Sequence, residues 1–289
     1  MKLAAFTTVG SDEIGIVKDG RILSITRALH EAPRAMIELI GRFEEFRARI
    51  QDLETSSDGW IGLGEVKLRA PVNRPGKILA IGLNYADHIS ETGREAPKEQ
   101  VWFMKASSSA AGPYDPIQIP MASPESVDYE VELVAVIGKG GRHISRDEAP
   151  KAVFGYCVGN DVSVRAWQRH SPQWSVAKSF DTHSPFGPWI TLTDEVADPH
   201  GLAIRCTVNG EDRQMSNTKN LVFDLWTQIE YLSKAMTLEP GDLIFSGTPG
   251  GVGWVRKPPG LLKAGDVVRC EIERLGYIEG RCEDERSGK

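Results

Sequence analysis

Asp128-Tyr129-Glu130-Val131-Glu132-Leu133-Val134-Ala135-Val136-Ile137 is the stretch on which the reading of this chain turns. Side chains alternate faces along a strand, so Tyr129, Val131, Leu133, Ala135 and Ile137 form one uniformly apolar face. The other face begins with Glu130 and Glu132 and continues as Val134 and Val136. A strand apolar on both faces is a buried one, and this one carries two carboxylates inward at one end. Two like charges about 4 Å apart cost about 4 kcal/mol at an effective dielectric of about 20. An opposing base, protonation of one carboxylate or a bound cation would compensate. Two solvated glutamates on an edge strand would give the same pattern.

The 289 residues are 40% hydrophobic and 26% charged, which is ordinary globular usage and enough chain for a sizeable core. That excludes a disordered chain and a disulfide mini-scaffold, and allows one large domain or a large and a small one. Lys and Arg number 34 against 40 Asp and Glu, a net charge of −6, so the concentrated positive charge that nucleic-acid binding needs is missing. Cys157, Cys206, Cys270 and Cys282 form no CxxC pair and no zinc-like spacing with histidines, and read as reduced core thiols. The apolar start Met1 to Phe6 is too short for a signal-peptide core, and no stretch reaches the roughly 20 apolar residues of a membrane span. The expectation is a soluble cytoplasmic protein with no membrane partner.

Outward from the central strand, the chain reads as strands punctuated by Gly and Pro. Lys77 to Ile81, Ala152 to Val158, Trp189 to Leu192, Leu202 to Val208, Asp242 to Phe245 and Val267 to Glu273 all have strand character. Val222 to Met236 is the clearest helix. This texture predicts a β-rich domain of the sandwich or roll type. At the N-terminus, Lys18-Asp19-Gly20 between two apolar runs signals a hairpin. Met36, Leu39, Ile40, Phe43, Phe46, Ile50 and Leu53 then recur at helical steps, and Thr55 to Gly59 ends the pattern as a loop. Residues 1–70 are thus expected as a small N-terminal module, 71–283 as the main domain and 284–289 as a frayed tail. No internal repeat or low-complexity tract is present.

Further chemistry-bearing residues lie along the main domain. Asp161 follows the apolar run Phe154 to Gly159 and could meet Glu130 and Glu132 from a neighbouring strand; a strand-end cap would look the same. Three carboxylates without His or Cys would make a hard oxygen site suited to Mg²⁺, Mn²⁺ or Ca²⁺ rather than Zn²⁺. His88 and Glu91, three apart, are neighbours on a helical turn, where the carboxylate can orient the imidazole or both can simply face solvent. Lys178 sits in an apolar, aromatic segment, with a snorkelling surface lysine as the alternative. The loop Ser246 to Gly253 is neither a Walker A nor a Rossmann loop, though its amides could cradle an anion.

In this order the motifs resemble the fumarylacetoacetate hydrolase family. The matching elements are Gly82-Leu83-Asn84-Tyr85-Ala86-Asp87-His88, Phe103-Met104-Lys105, Tyr129 to Leu133, Asn160-Asp161-Val162-Ser163, Lys178-Ser179-Phe180-Asp181, Gly187-Pro188, and Gly241-Asp242 through Gly253. The resemblance covers about residues 72 to 280, and the first 70 look like the small variable module of many bacterial members. One departure is Ala106, where many relatives have proline after the lysine.

The resemblance implies a β-rich α+β fold, a mixed β-sandwich or roll catalytic domain with a small N-terminal α+β module, in a homodimer. It implies Mg²⁺ or Mn²⁺, with Ca²⁺ able to substitute in vitro, on Glu130, Glu132 and Asp161. Lys178 would stabilise enolate charge or handle protons, and His88 with Glu91 would activate water. Tyr85, Arg165, Gln168 and Thr248 would bind a small 2-oxo acid. The expected reaction is hydrolysis of the C–C bond of a 2,4-dioxo acid of acylpyruvate type, releasing pyruvate through an enolate. Isomerisation of an unsaturated 2-oxo diacid and decarboxylation of oxaloacetate use the same constellation, and a non-catalytic metal-binding protein is the remaining alternative. By position, Trp102, residues 106–115, Trp167 and the Arg169 to Trp174 loop would line the far end of the pocket, with Trp167 and Trp174 suited to a bulky or planar substituent and Arg169 and His170 to a second carboxylate; ordinary surface packing is the alternative.

Overall fold

The computed structural model describes residues 1–8, 10–55, 58–93, 95, 97–196 and 198–286. Part of the expected Thr55 to Gly59 loop, residues 56 and 57, lies outside the described residues. Among those described, a twelve-stranded mixed sheet forms the body of the molecule. Its path runs Trp60–Gly62, Arg21–Ser24, Ser11–Lys18, Lys2–Thr8, Ser184–Leu192, Val153–Asn160, Val131–Ile137, Leu243–Phe245, Ile78–Gly82 and Val101–Lys105. A second sheet of five strands runs Glu211–Asn217, Ala203–Val208, Val267–Ile272, Gly276–Asp284 and Ile117–Ile119.

The strand Val131–Ile137 lies deep in this arrangement and is wholly buried. Its odd-numbered face packs with Ile204, Cys206, Val268, Cys270 and Ile272 of the five-stranded sheet. Val134 and Val136 on the even-numbered face pack with Cys157, Phe186, Ile190, Phe245 and the N-terminal helices. The alternation in the sequence is thus an alternation between two cores. The fold is the expected β-rich α+β architecture, with few helices.

The Asp19-Gly20 turn joins Ser11–Lys18 to Arg21–Ser24, with φ of 49° and 73° that suit a tight hairpin. These strands extend the main sheet rather than closing one of their own, because Lys2 and Leu3 pair with Thr191 and Ile190. The single helical pattern from Met36 breaks into Met36–Gly41 and Phe43–Glu54. Gly41 favours a break, and the reorientation at Arg42 lets Ile40 and Phe43 both be buried. The tail expected to fray from residue 284 is paired through Glu285, whose N–H donates to Ile119 O at 2.9 Å; residues 287–289 lie outside the described residues. The four cysteines are free and buried. No helix among the described residues is long and apolar enough to cross a membrane.

His183 precedes the strand Ser184–Leu192 with no exposed surface. Its Nε2 lies 2.8 Å from Gln118 O. Burial, aided by the Lys105 charge and opposed by that carbonyl, holds its imidazole down to about 4 from an ordinary 6.5. The unfolded chain therefore binds the extra proton first. Stability from this group is complete above pH 6.5 and falls as the pH drops to about 4, by about 3 kcal/mol in all. Urea unfolding at pH 7 and pH 4.5 should show His183→Gln losing less of its stability over that interval than the parent; equal losses would contradict this assignment.

Candidate active site

Glu130 and Glu132 sit at the start of Val131–Ile137, and Asp161 directly follows the antiparallel strand Val153–Asn160. The register pairs Val131 with Asn160, which sets Glu130 beside Asp161. Two further bonds lock that end: Asp161 N–H donates to Glu130 O at 2.8 Å, and Glu130 N–H donates to Asn160 Oδ1 at 2.9 Å. One oxygen from each of the three carboxylates falls within 4.8 Å of the others, and all three residues are buried.

Three buried cations face them. Lys178 Nζ donates to Glu130 Oε2 at 2.8 Å and Asp161 Oδ2 at 2.5 Å. Lys105, at the end of Val101–Lys105, pairs with Asp161 Oδ1 and donates to His183 O at 2.8 Å. Arg165 opens a one-turn helix and spans Asp128 Oδ2 at 2.8 Å, Glu130 Oε1 at 2.6 Å and Gln168 Oε1 at 3.0 Å. Ala106 N–H donates to Ser179 Oγ at 2.9 Å, a bond that a proline at this position could not make.

Four buried carboxylates, Asp128 included, thus meet three buried cations, and the imbalance falls on one residue. Burial disfavours ionised Glu130, but the charges of Lys178 and Arg165 outweigh it and hold that carboxyl well below its ordinary value. Glu132 goes the other way: burial, then the charges of Asp161 and Glu130, push it well above. Burial lowers the Lys105 ammonium despite Asp161, whereas Asp161 and Glu130 more than offset burial at Lys178 and raise it. An all-oxygen cluster with surplus negative charge fits a hard divalent cation, which would remove the strain on Glu132.

The glycine-rich loop after Leu243–Phe245 cradles carboxylates of the protein itself. Gly247 N–H donates to Glu132 Oε2 at 2.8 Å, Gly251 N–H to Glu91 Oε2 at 2.8 Å, and Gly253 and Trp254 N–H to Asp128 at 2.8 and 3.0 Å. Gly251 has φ of 102°, and a Cβ there would lie 2.0 Å from Arg213 O, so only glycine fits. The side chain of Asn84 bonds Ser246 O at 2.7 Å and Phe223 O and N at 3.0 and 2.8 Å, docking the Gly82 to His88 segment against this loop. The helix Ala86–Thr92 follows and brings His88 Nδ1 to 2.7 Å from Glu91 Oε1.

A cavity of about 190 Å³ opens beside Glu130, with Glu132 and Asp161 outside its lining. His88, Glu130, Lys178, Arg165, Gln168 and Thr248 line it. The Thr248 hydroxyl donates to Val131 O at 2.9 Å and accepts from Gln214, so its proton is already committed. Tyr85 is fully buried behind the lining, and its hydroxyl has no hydrogen-bond partner among the described residues. Burial and the nearby Glu132 carboxylate push its phenol up. Arg169 and Trp174 line the cavity, whereas Trp102 and residues 106–115 do not; Trp167 packs on Phe180 beside a separate outer groove. Lys105 and Asp128 were not among the candidate residues. The signal for Lys105 was its place two residues after buried Phe103 in a strand, on the same face; Asp128 carried none beyond adjacency to the carboxylate strand.

Comparison with known proteins agrees with this geometry. The sequence profile described as Fumarylacetoacetate (FAA) hydrolase C-terminal matches residues 77–283. The chain belongs to the fumarylacetoacetate hydrolase family. It is 46% identical over 247 residues to the oxaloacetate tautomerase Fahd2a, mitochondrial, of Rattus norvegicus, covering 85% of this chain and 79% of that protein. Maleylpyruvate hydrolase from Sphingobium sp. SYK-6, solved with manganese(II) and pyruvate, superposes with a TM-score of 0.83 at 35% identity, covering 99% of this chain and 100% of that one. The 5-carboxymethyl-2-hydroxymuconate delta-isomerase of Mycobacterium smegmatis superposes at 0.79 with 30% identity and the same coverage.

Replacing Lys105 with Met leaves buried Asp161 with one ammonium partner. Removing half of a buried pair costs about 3–5 kcal/mol. Urea unfolding should register that loss in metal-free protein, and added Mg²⁺ or Mn²⁺ should recover part of it. Unchanged stability would show that Lys105 does not neutralise the cluster.

Proposed function

We propose that this chain interconverts the enol and keto forms of oxaloacetate or a close 2-oxo diacid, with Mg²⁺ or Mn²⁺ on Glu130, Glu132 and Asp161. The observation that carries the reading is the placement of His88, which shares one small cavity with Glu130 and Lys178 and is tied through Nδ1 to Glu91. A carboxylate on Nδ1 makes that nitrogen the proton-bearing one and leaves Nε2 as a base. The cavity is smaller than the roughly 300–1,000 Å³ typical of drug-sized ligands, which favours a compact acid over a bulky acyl chain. Similarity to an oxaloacetate tautomerase over most of the chain supports the same choice.

A divalent cation would supply Lewis-acid charge that lowers the cost of an enolate oxygen. The chain's own groups do the rest. His88 Nε2 removes a proton from carbon 3 of the keto acid, and Glu91, braced by Gly251 N–H, stabilises the imidazolium. Charge moves onto the 2-oxo oxygen near the Lys178 ammonium, which its carboxylate neighbours keep protonated. That oxygen then takes up a proton, so one proton leaves and one arrives and no co-reactant is consumed. Arg165 is braced by Asp128 and Glu130, and the Gln168 amide nitrogen remains to donate to the substrate carboxylate.

The same dyad could instead deprotonate water for attack on a 2,4-dioxo acid, splitting the C–C bond to pyruvate and a carboxylic acid. Similarity to a maleylpyruvate hydrolase supports this second reading. Ultraviolet absorbance of the enol, read beside coupled pyruvate release from acetylpyruvate and oxaloacetate, separates the cases. The proposal expects metal-dependent acceleration of enol–keto exchange, reduced by about 10²–10⁴-fold in His88→Ala. Pyruvate from acetylpyruvate without faster exchange would make the chain a hydrolase, and pyruvate from oxaloacetate a decarboxylase.

A further inference from the structure

Besides its charged groups the cavity is walled by Ile81, Leu83, Trp174, Val252 and Trp254, which carry no charge of their own. Lys178 and Arg165 are committed to carboxylates of the protein. Arg169 is different. It directly follows the one-turn helix Arg165–Gln168, is exposed, and no carboxylate pairs with it among the described residues. Its guanidinium carbon lies 4.6 Å from the Trp254 ring centroid. An indole face beneath a guanidinium fixes its plane while leaving the N–H edges free to fork a carboxylate.

Both partners in this stack are positioned from one buried anchor. Asp128 accepts from Trp254 N–H and from Arg165 Nε, so it sets the backbone under the indole and the start of the turn that ends in Arg169. Trp254 stays 43% exposed, unusual for so large an apolar ring, on the short turn Gly253–Val255 at the cavity mouth. The stack therefore stands over the entrance with an unspent charge.

We infer that Arg169, laid on Trp254 at the cavity mouth, is the specificity-determining cation that takes the second carboxylate of a 2-oxo diacid. This rests on the proposed function, since it names the substrate group at the far end of the same site. It makes the site selective for diacids over monoacids whose reacting ends are identical. A second carboxylate gains a charge-assisted fork, whereas a methyl group in its place leaves Arg169 solvated and unused.

The test compares malate with lactate, two unreactive hydroxy acids that share one end and differ in the second carboxylate. Isothermal titration into Mg²⁺-loaded protein should give tighter binding of malate. Arg169→Met should shrink that preference by about 10–100-fold, the range expected for a hydrogen-bonded ion pair. Arg169→Lys should restore part of it, because the charge returns without the fork. A parent protein that binds the two acids equally, or a preference that survives Arg169→Met, would overturn the inference. An intact, Arg169-dependent preference in a protein that fails to speed oxaloacetate exchange would sink the proposed reaction and leave the diacid site standing.

Discussion

Glu130, Glu132 and Asp161 bring their carboxylates within 4.8 Å of one another in the buried interior, and repulsion among them is the constraint to which the surrounding structure answers. At an effective dielectric of about 20, each pair about 4 Å apart costs about 4 kcal/mol. Lys105, Lys178 and Arg165 converge to offset it, and each enters from a separate segment. Three cations do not balance four carboxylates, and the residual cost concentrates on Glu132. A cluster of this kind is an expensive way to stabilise a fold, since well-packed apolar side chains would do as well or better. Its all-oxygen chemistry is suited to a hard divalent cation.

The glycine-rich loop couples that cluster to the rest of the site. Its amides reach Glu132 in the triad, Glu91 in the imidazole dyad and Asp128 behind Arg165. One stretch of backbone therefore sets the imidazole dyad, the carboxylate triad and the guanidinium brace relative to one another. Groups held by backbone amides on a buried loop need little reorganisation when charge develops nearby. The two sheets supply the rigid floor, because Val131–Ile137 is packed on both faces and cannot shift without disturbing two cores.

Much of this was legible in the residues themselves. Period-two alternation from Tyr129 to Ile137 placed both glutamates on one face, and the structure gives each face its own core. The strand and turn signals marked Ile78–Gly82, Val131–Ile137, Val153–Asn160, Ala203–Val208, Leu243–Phe245, Val267–Ile272 and the Asp19-Gly20 hairpin, but missed Glu211–Asn217 and Gly276–Asp284 and caught only the end of Ser184–Leu192. Less was visible where long-range pairing decides. Nothing in Met1 to Thr8 says that it will pair with Thr191 and Ile190. Gly41 gave too weak a local signal to split the helical pattern, which took the tertiary demand to bury both Ile40 and Phe43. Lys105 escaped because a lysine at a strand end reads as solvated until its partner, 56 residues away, is known. The loop after Phe245 announced free amides but not that the protein's own carboxylates occupy them.

A triad so placed is either a cation site or an acidic ornament of the core. Electron paramagnetic resonance of free Mn²⁺ during titration decides between them directly. A cation site binds one Mn²⁺ tightly per chain, weakened by about 100-fold in Glu132→Gln, since even a supporting partner can cost that much. Glu91→Gln, outside the triad, should keep its affinity. Binding as tight in Glu132→Gln as in the parent, or none in the parent, would show that the triad holds no cation.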